Sequence, residues 1–201
     1  KSENWLSGLK IGAYKKVFLA GGMLATLILF FPSLFGEGYA SIKILASSNS
    51  NQLFENSILH DFTSNPWFIL LFITLTMLVK VFATAITLGS GGNGGNFAPS
   101  LFVGAYAGFV FSRFINLTHF TTLPESNFTL VGMAGILSGL YHAPLTALFL
   151  IAEITGGYDL MIPLMIVASI SFAISKRFEK HSMDVKNLVE KGHVFTSNKD
   201  T

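Results

Sequence analysis

The sequence contains no cysteine, which excludes disulfides and thiolate metal sites. It is also poor in charge. Only 12% of its 201 residues are Asp, Glu, Lys or Arg, where an ordinary soluble domain carries about 25%. A surface that faces water all round needs more. Basic and acidic residues nearly cancel, 13 against 11, and a net charge of +2 gives no footing for a nucleic-acid partner. His60, His119, His181 and His193 stand too far apart to form a local metal cluster. No nucleophile–base pair marks an enzyme, and neither a metal nor a cofactor is expected.

What is plentiful is apolar. Hydrophobic residues make up 51% of the chain, 20 of them phenylalanine, with a mean hydropathy of +0.57. They fall in five runs: Val17 to Phe35, Trp67 to Leu88, Phe97 to Phe111, Leu130 to Ile154 and Leu160 to Ile174. A simple membrane span needs about 20 residues. The first, second and fourth runs reach that length, although His142-Ala143-Pro144 breaks the fourth. Five such runs leave too little polar chain to cover them, so the pattern predicts an integral, multi-pass membrane protein rather than a soluble core. The start, KSENWLSGLKIGAYKK, has no signal-peptide core. It reads as the tail of an earlier helix carrying Trp5, Leu6, Leu9 and Ile11. Lys10, Lys15 and Lys16 precede the first run, and Lys176, Arg177, Lys180, Lys186 and Lys191 follow the last. Basic flanks stay inside, so both ends are expected on the cytoplasmic side of a plasma or inner membrane.

Periodicity and caps predict helices over about 15–31, 66–88, 98–115, 127–140, 144–154, 159–175 and 183–191, with a short one at 39–46. Ser64 or Asn65 can cap the second, with Pro66 in its first turn. Asp159 is an expected N-cap. Polar loops are expected at 47–65 and from Thr118 to Asn127. The run KRFEKHSMDVKNLVEKGH reads as a solvated amphipathic helix. Gly8/Gly12, Gly104/Gly108 and Gly135/Gly139 have the four-residue spacing that lets helix backbones approach in lipid. Lys80, alone in its run, is expected to snorkel or to meet a carbonyl. His142 is expected to serve the helix break, and Glu153 to hydrogen-bond a neighbouring loop.

The most informative stretch is TLGSGGNGGNFAPSL at residues 87–101, with five glycines. Gly89, Gly91 and Gly94 match G-x-G-x-x-G, but a dinucleotide fingerprint must follow a strand and find an acidic residue about 20 positions on. Here a long apolar helix precedes the loop, and the next acidic residue after Gly94 is Glu125. A Walker loop is excluded because no Gly-Lys-Ser/Thr follows. What remains is a flexible loop opening a helix, with Pro99 near its first turn. The start of a helix carries about half a positive charge and binds anions. No Lys or Arg lies between Val81 and Ser112, so an anion is expected to meet partial charges only, which suits conduction. A plain glycine-rich turn between helices is the alternative.

GSGGNGGNFAPSLFVGAYAG resembles the helix-N signature of the CLC family of chloride channels and chloride/proton exchangers, whose core is G-G-x-F-x-P. GMAGILSGLYHAPLTALFLIAEITGGYDLMIPLM at 132–165 is similar to its helices O, P and Q, and FPSLFGEGY at 31–39 to the segment joining K and L. The resemblance implies an all-α membrane protein of the CLC inverted-repeat type with broken, tilted helices, of which this chain is the second repeat only. Residues 1–175 would be that repeat, from the end of helix J to helix Q. Residues 176–201 would be a cytoplasmic R-type helix and tail. The amides of Asn96 and Phe97 would bind chloride, in the loop formed with Gly94, Gly95, Ala98 and Pro99. Asp184 stands where many members have a chloride-binding tyrosine. Implied partners are chloride as the transported ligand, the bilayer, a missing N-terminal repeat of the same protein, and a second copy in a homodimer. The resemblance places the dimer contact on helices 144–154 and 159–175, where Leu148, Ile151, Leu164 and Ile166 are expected to offer bulky apolar surface. The expected function is a voltage-gated-type chloride channel or a chloride/proton antiporter, of which this is the C-terminal half of the pore. A non-transporting scaffold, or a truncated fragment without activity, is the rival reading.

Overall fold

The structure, a computed structural model, describes residues 13–47 and 65–190. Among them there is no strand. The helices are α1 (Ala13–Phe30), a 3-10 turn (Pro32–Leu34), α2 (Tyr39–Ala46), α3 (Pro66–Gly89), α4 (Phe97–Leu117), α5 (Glu125–Tyr141), α6 (Pro144–Thr155), α7 (Met161–Phe178) and α8 (Met183–Glu190). Most of the 47–65 loop, the first helix tail and the Gly8/Gly12 pair lie outside the described residues. The chain divides into two compact units, Lys1–Met133 and Ala134–Thr201.

Local chemistry sets the helix ends. Asn65 Oδ1 accepts from the Trp67 amide at 3.0 Å, and Pro66 opens α3, as the sequence predicts. Asp159 does not cap α7. The Tyr158 carbonyl accepts from Met161 N–H and the N-cap is Leu160, so a turn closes first and leaves Asp159 one residue too early. The basic run after α7 is not one helix. Lys176 and Arg177 finish α7, the chain breaks at residues 179–182, and α8 follows. Pro144 cannot continue α5, and His142 takes a positive φ of 53° at that break, its ring edge-on to Phe172 at 5.8 Å. Glu153 is exposed on the last turn of α6.

Among the described residues, three stretches are long and apolar enough to cross a membrane: Pro66–Gly89, Phe97–Leu117 and Met161–Lys186, the last running from α7 into α8. The helix end expected near 31 and the break expected at His142-Ala143-Pro144 are both present. The first run ends its helix at Phe30, before Pro32, and the fourth splits into α5 and α6. Helix α4 outruns its apolar stretch. Arg113 Nη1 lies 3.1 Å from Glu125 Oε1, and Asn116 donates to Glu125 and to the Leu123 carbonyl. The polar end of α4 is therefore satisfied by the start of α5 and can remain helical.

Helix α3 shows how the first unit separates core from lipid. Ile69, Ile73, Thr76, Lys80 and Ala83 are buried, while Leu71, Leu75, Leu78 and Phe82 are exposed. Both sets follow helical spacing, so two apolar stripes run side by side. The buried stripe packs chiefly on α4, where Leu101, Phe102, Ala105, Tyr106 and Phe109 form the core. Thr74, Thr76, Thr84 and Thr87 return their hydroxyls to carbonyls four residues back, which removes free donors from the apolar environment. Helices α4 and α5 cross backbone to backbone. A Cβ at Gly108 would collide with the Phe128 carbonyl, and one at Gly132 with the Gly104 carbonyl.

The second unit uses serine as well as glycine. Ser171 Oγ donates to the Gly135 carbonyl at 2.6 Å, Ser175 Oγ to Gly139 at 2.5 Å, and Ser138 Oγ to Ala168 at 2.5 Å. These bonds tie the end of α5 to α7, with α6 packed on α7. Leu148, Ile151 and Leu164 are buried in this chain. The expectation that they offer an apolar surface for a second copy is therefore corrected, because their area is already used. Ile166 remains exposed, together with Ile162, Ile170 and Ile174.

Candidate functional site

The glycine loop folds back on the helix before it. Gly91 has a φ of 93°, in the left-handed region that favours glycine. The Gly92 amide donates to the Thr87 carbonyl at 3.0 Å, and a Cβ there would stand 2.8 Å from that oxygen. These two glycines shape the turn. Gly94 and Gly95 act differently. A Cβ on Gly94 would make only an ordinary 3.7 Å contact with Leu88, and one on Gly95 would meet nothing nearer than the Phe97 nitrogen, at 4.0 Å. Their bareness keeps the front of the α4 start uncovered.

At that start, Asn96 is the N-cap, and its side chain makes no capping bond. Its carbonyl accepts from the Ser100 amide at 3.0 Å, and Ser100 Oγ donates to the carbonyls of Asn96 and Phe97. Phe97 and Ala98 are the first two helical residues and Pro99 the third. The helix ladder supplies no acceptor for N–H groups in this turn, and proline there forfeits none. The structure thus brings Asn96, Phe97, Gly94, Gly95, Ala98 and Pro99 together as one loop and helix start.

This start lines a cavity of about 650 Å³ in the first unit. Its other walls come from Leu24, Leu27 and Ile28 of α1, from the 34–39 segment, and from Lys80, Ala83, Thr84, Thr87 and Leu88 of α3. Lys80 is 4% exposed. Its ammonium donates to the Leu34 carbonyl at 3.1 Å and the Gly36 carbonyl at 2.9 Å, and sits 4.9 Å from the centre of the Phe102 ring. The expectation that Lys80 meets a carbonyl holds. The expectation that an anion at this loop meets partial charges only rests on a window, 81–112, that begins one residue after Lys80. The loop folds back along the last turns of α3, and the long lysine stem places a full cation in the wall of the same cavity. The cation lies just upstream of that window and is brought in by the fold. The 34–39 wall, including Glu37 and Tyr39, belongs to the FPSLFGEGY segment, whose sequence signal was its resemblance alone.

Asp184 lies in the second unit, exposed in the first turn of α8. Lys186 of the same helix pairs with Glu179 at 2.8 Å, while Lys180 precedes the helix in the break.

The model of the voltage gated chloride channel family matches residues 1–176. Among curated proteins, a protein described as a voltage-gated ClC-type chloride channel ClcB from Escherichia coli strain SMS-3-5 is 30% identical over 180 residues. That alignment covers 87% of this chain and 38% of the relative. The proteins of the same description from Escherichia coli strain K12 / DH10B and from Escherichia coli O81 strain ED1a are 30% and 29% identical, with the same coverage of both chains. The chain thus spans 38% of the length of these relatives.

Proposed function

The chain belongs to the voltage gated chloride channel family, and from that premise we propose that it forms part of an anion pathway for chloride, built around the start of α4. The observation that carries this reading is the cavity faced by an uncovered helix start and a buried cation. Chloride is bound by the amides of Asn96 and Phe97, with Gly94 and Gly95 leaving room for it. The remaining anion contacts come from another repeat of the same protein, and two copies form a dimer. The basic C-terminal segment faces the cytoplasm.

The test is chloride efflux from liposomes. The full-length protein passes chloride saturably; the isolated 201-residue chain, with part of the anion shell, does not. Saturable efflux from the isolated chain overturns the half-pore reading. Absence of efflux from a folded, full-length protein favours a non-transporting scaffold.

Asp184 takes the place of a hydrogen-bond donor in many family members. An ionised carboxylate cannot donate, and at about 4 Å from chloride, with an effective dielectric near 20, it would repel by about 4 kcal/mol. Exposed in the first turn of α8, it faces water instead of chloride, and chloride binding is weaker than in tyrosine-bearing relatives. Calorimetry checks this: the Asp184→Tyr protein binds chloride more tightly than the parent. Equal affinity at every pH removes Asp184 from the pathway.

A further inference from the structure

A buried lysine in an apolar helix is costly, and Lys80 is not neutralised in the usual way. Two of the three N–H donors of its ammonium go to the neutral carbonyls of Leu34 and Gly36. Among the described residues, no carboxylate oxygen lies within 4 Å of it. Two charged side chains line the cavity, Lys80 and Glu37. They are not equivalent. Glu37 is exposed, so water and salt screen it, whereas Lys80 is 4% exposed and is screened far less. The field inside the cavity is therefore positive, although its two formal charges cancel. The carbonyl bonds do a second thing: they hold the ammonium in the wall, across 44 and 46 residues of chain, so the charge cannot swing out to solvent.

We propose that Lys80 is a specificity-determining residue of the cavity, a fixed buried cation that draws small inorganic anions to the α4 start and excludes cations. This rests on the anion-pathway reading. The positive charge acts through space on whatever enters the cavity, while the Leu34 and Gly36 carbonyls set its position. A lysine that merely tied down the 34–36 turn would affect stability, and its loss would leave the concentration dependence of chloride flux unmoved.

The experiment measures the chloride concentration for half-maximal flux, and chloride-over-potassium selectivity, in liposomes holding the full-length protein. Lys80→Gln keeps an N–H donor for the carbonyls and removes the charge. It raises the half-maximal concentration by about tenfold, the scale of a unit charge about 12 Å away at an effective dielectric of about 20, and lowers selectivity. Lys80→Arg restores both towards the parent values. Glu37→Gln removes a charge that water already screens and leaves the half-maximal concentration close to the parent value; a shift there as large as that of Lys80→Gln overturns the proposal. An unmoved value for a folded Lys80→Gln overturns it too. If Lys80→Gln fails to assemble, parent flux that does not favour chloride over potassium overturns the proposal, and flux that does favour chloride supports it. A parent with no saturable chloride flux sinks the pathway reading and this proposal together, whereas saturable parent flux with an unmoved Lys80→Gln sinks this proposal alone.

Discussion

Glycine serves opposite purposes within α4 and just before it. At Gly108 the missing side chain lets backbone meet backbone: Phe128 and Gly132 occupy the space a Cβ would need. At Gly94 and Gly95 the missing side chain leaves space that none of the described residues crowds. The first use is packing in a medium where small residues supply close van der Waals contact. The second leaves a volume open in front of the α4 start. Residue type alone does not separate the two. Both kinds sit in glycine-rich, apolar sequence, and the distinction is whether the neighbouring backbone is near.

The comparison breaks most severely at the crossing. Gly108→Leu puts side-chain atoms where the Phe128 carbonyl lies, and overpacking of this kind costs about 3 kcal/mol or more. The expected outcome is aggregation or a markedly lower unfolding temperature in detergent, with flux lost because the fold is lost. Normal thermal unfolding of this variant would show that the helices can part at little cost, and the distinction would collapse.

Gly95→Ala sharpens the contrast from the other side. Its Cβ is sterically permitted, standing 4.0 Å from the Phe97 nitrogen, so the protein keeps its unfolding temperature. The methyl group covers the approach to that amide. Chloride affinity, read by calorimetry on the full-length protein, falls about tenfold, the scale of one hydrogen bond to a charged group. Unchanged affinity would mean that the open space in front of α4 is not where chloride binds.

The smallest effect is expected in the second unit, where glycine works with serine. Ser171→Ala deletes the bond to the Gly135 carbonyl and leaves the close approach intact. Interhelical hydrogen bonds in membranes average about 0.6 kcal/mol, so the shift in thermal unfolding is small. A loss as large as that at Gly108 would show that the serine bonds, and not glycine packing, hold α5 to α7.

Much of this was legible beforehand. The ends of α3 follow from Asn65 and Pro66, the break between α5 and α6 from Pro144, and the whole helical order from apolar periodicity, because caps and hydrogen-bond ladders involve residues only a few positions apart. The loop and helix start at 94–99 were legible for the same reason. The failures lie where the deciding partner is distant. Asp159 looked like a cap until the Tyr158 turn closed ahead of it. Leu148, Ile151 and Leu164 looked available for a second copy, and hydropathy cannot say whether an apolar residue faces a neighbouring helix or lipid, since both are apolar.

The amino-acid sequence by itself determined the class of solvent, the helices and their breaks, the family, and the loop where an anion is expected. It did so because charge depletion, capping and glycine flexibility act locally. Tertiary structure alone decided that Lys80 shares a wall with that loop, that Gly94 and Gly95 stay uncovered while Gly108 and Gly132 are pressed together, and that one face of α3 turns inward. Those outcomes depend on atoms brought together across tens of residues, as Lys80 is to Leu34 and Gly36, and only folding supplies that proximity.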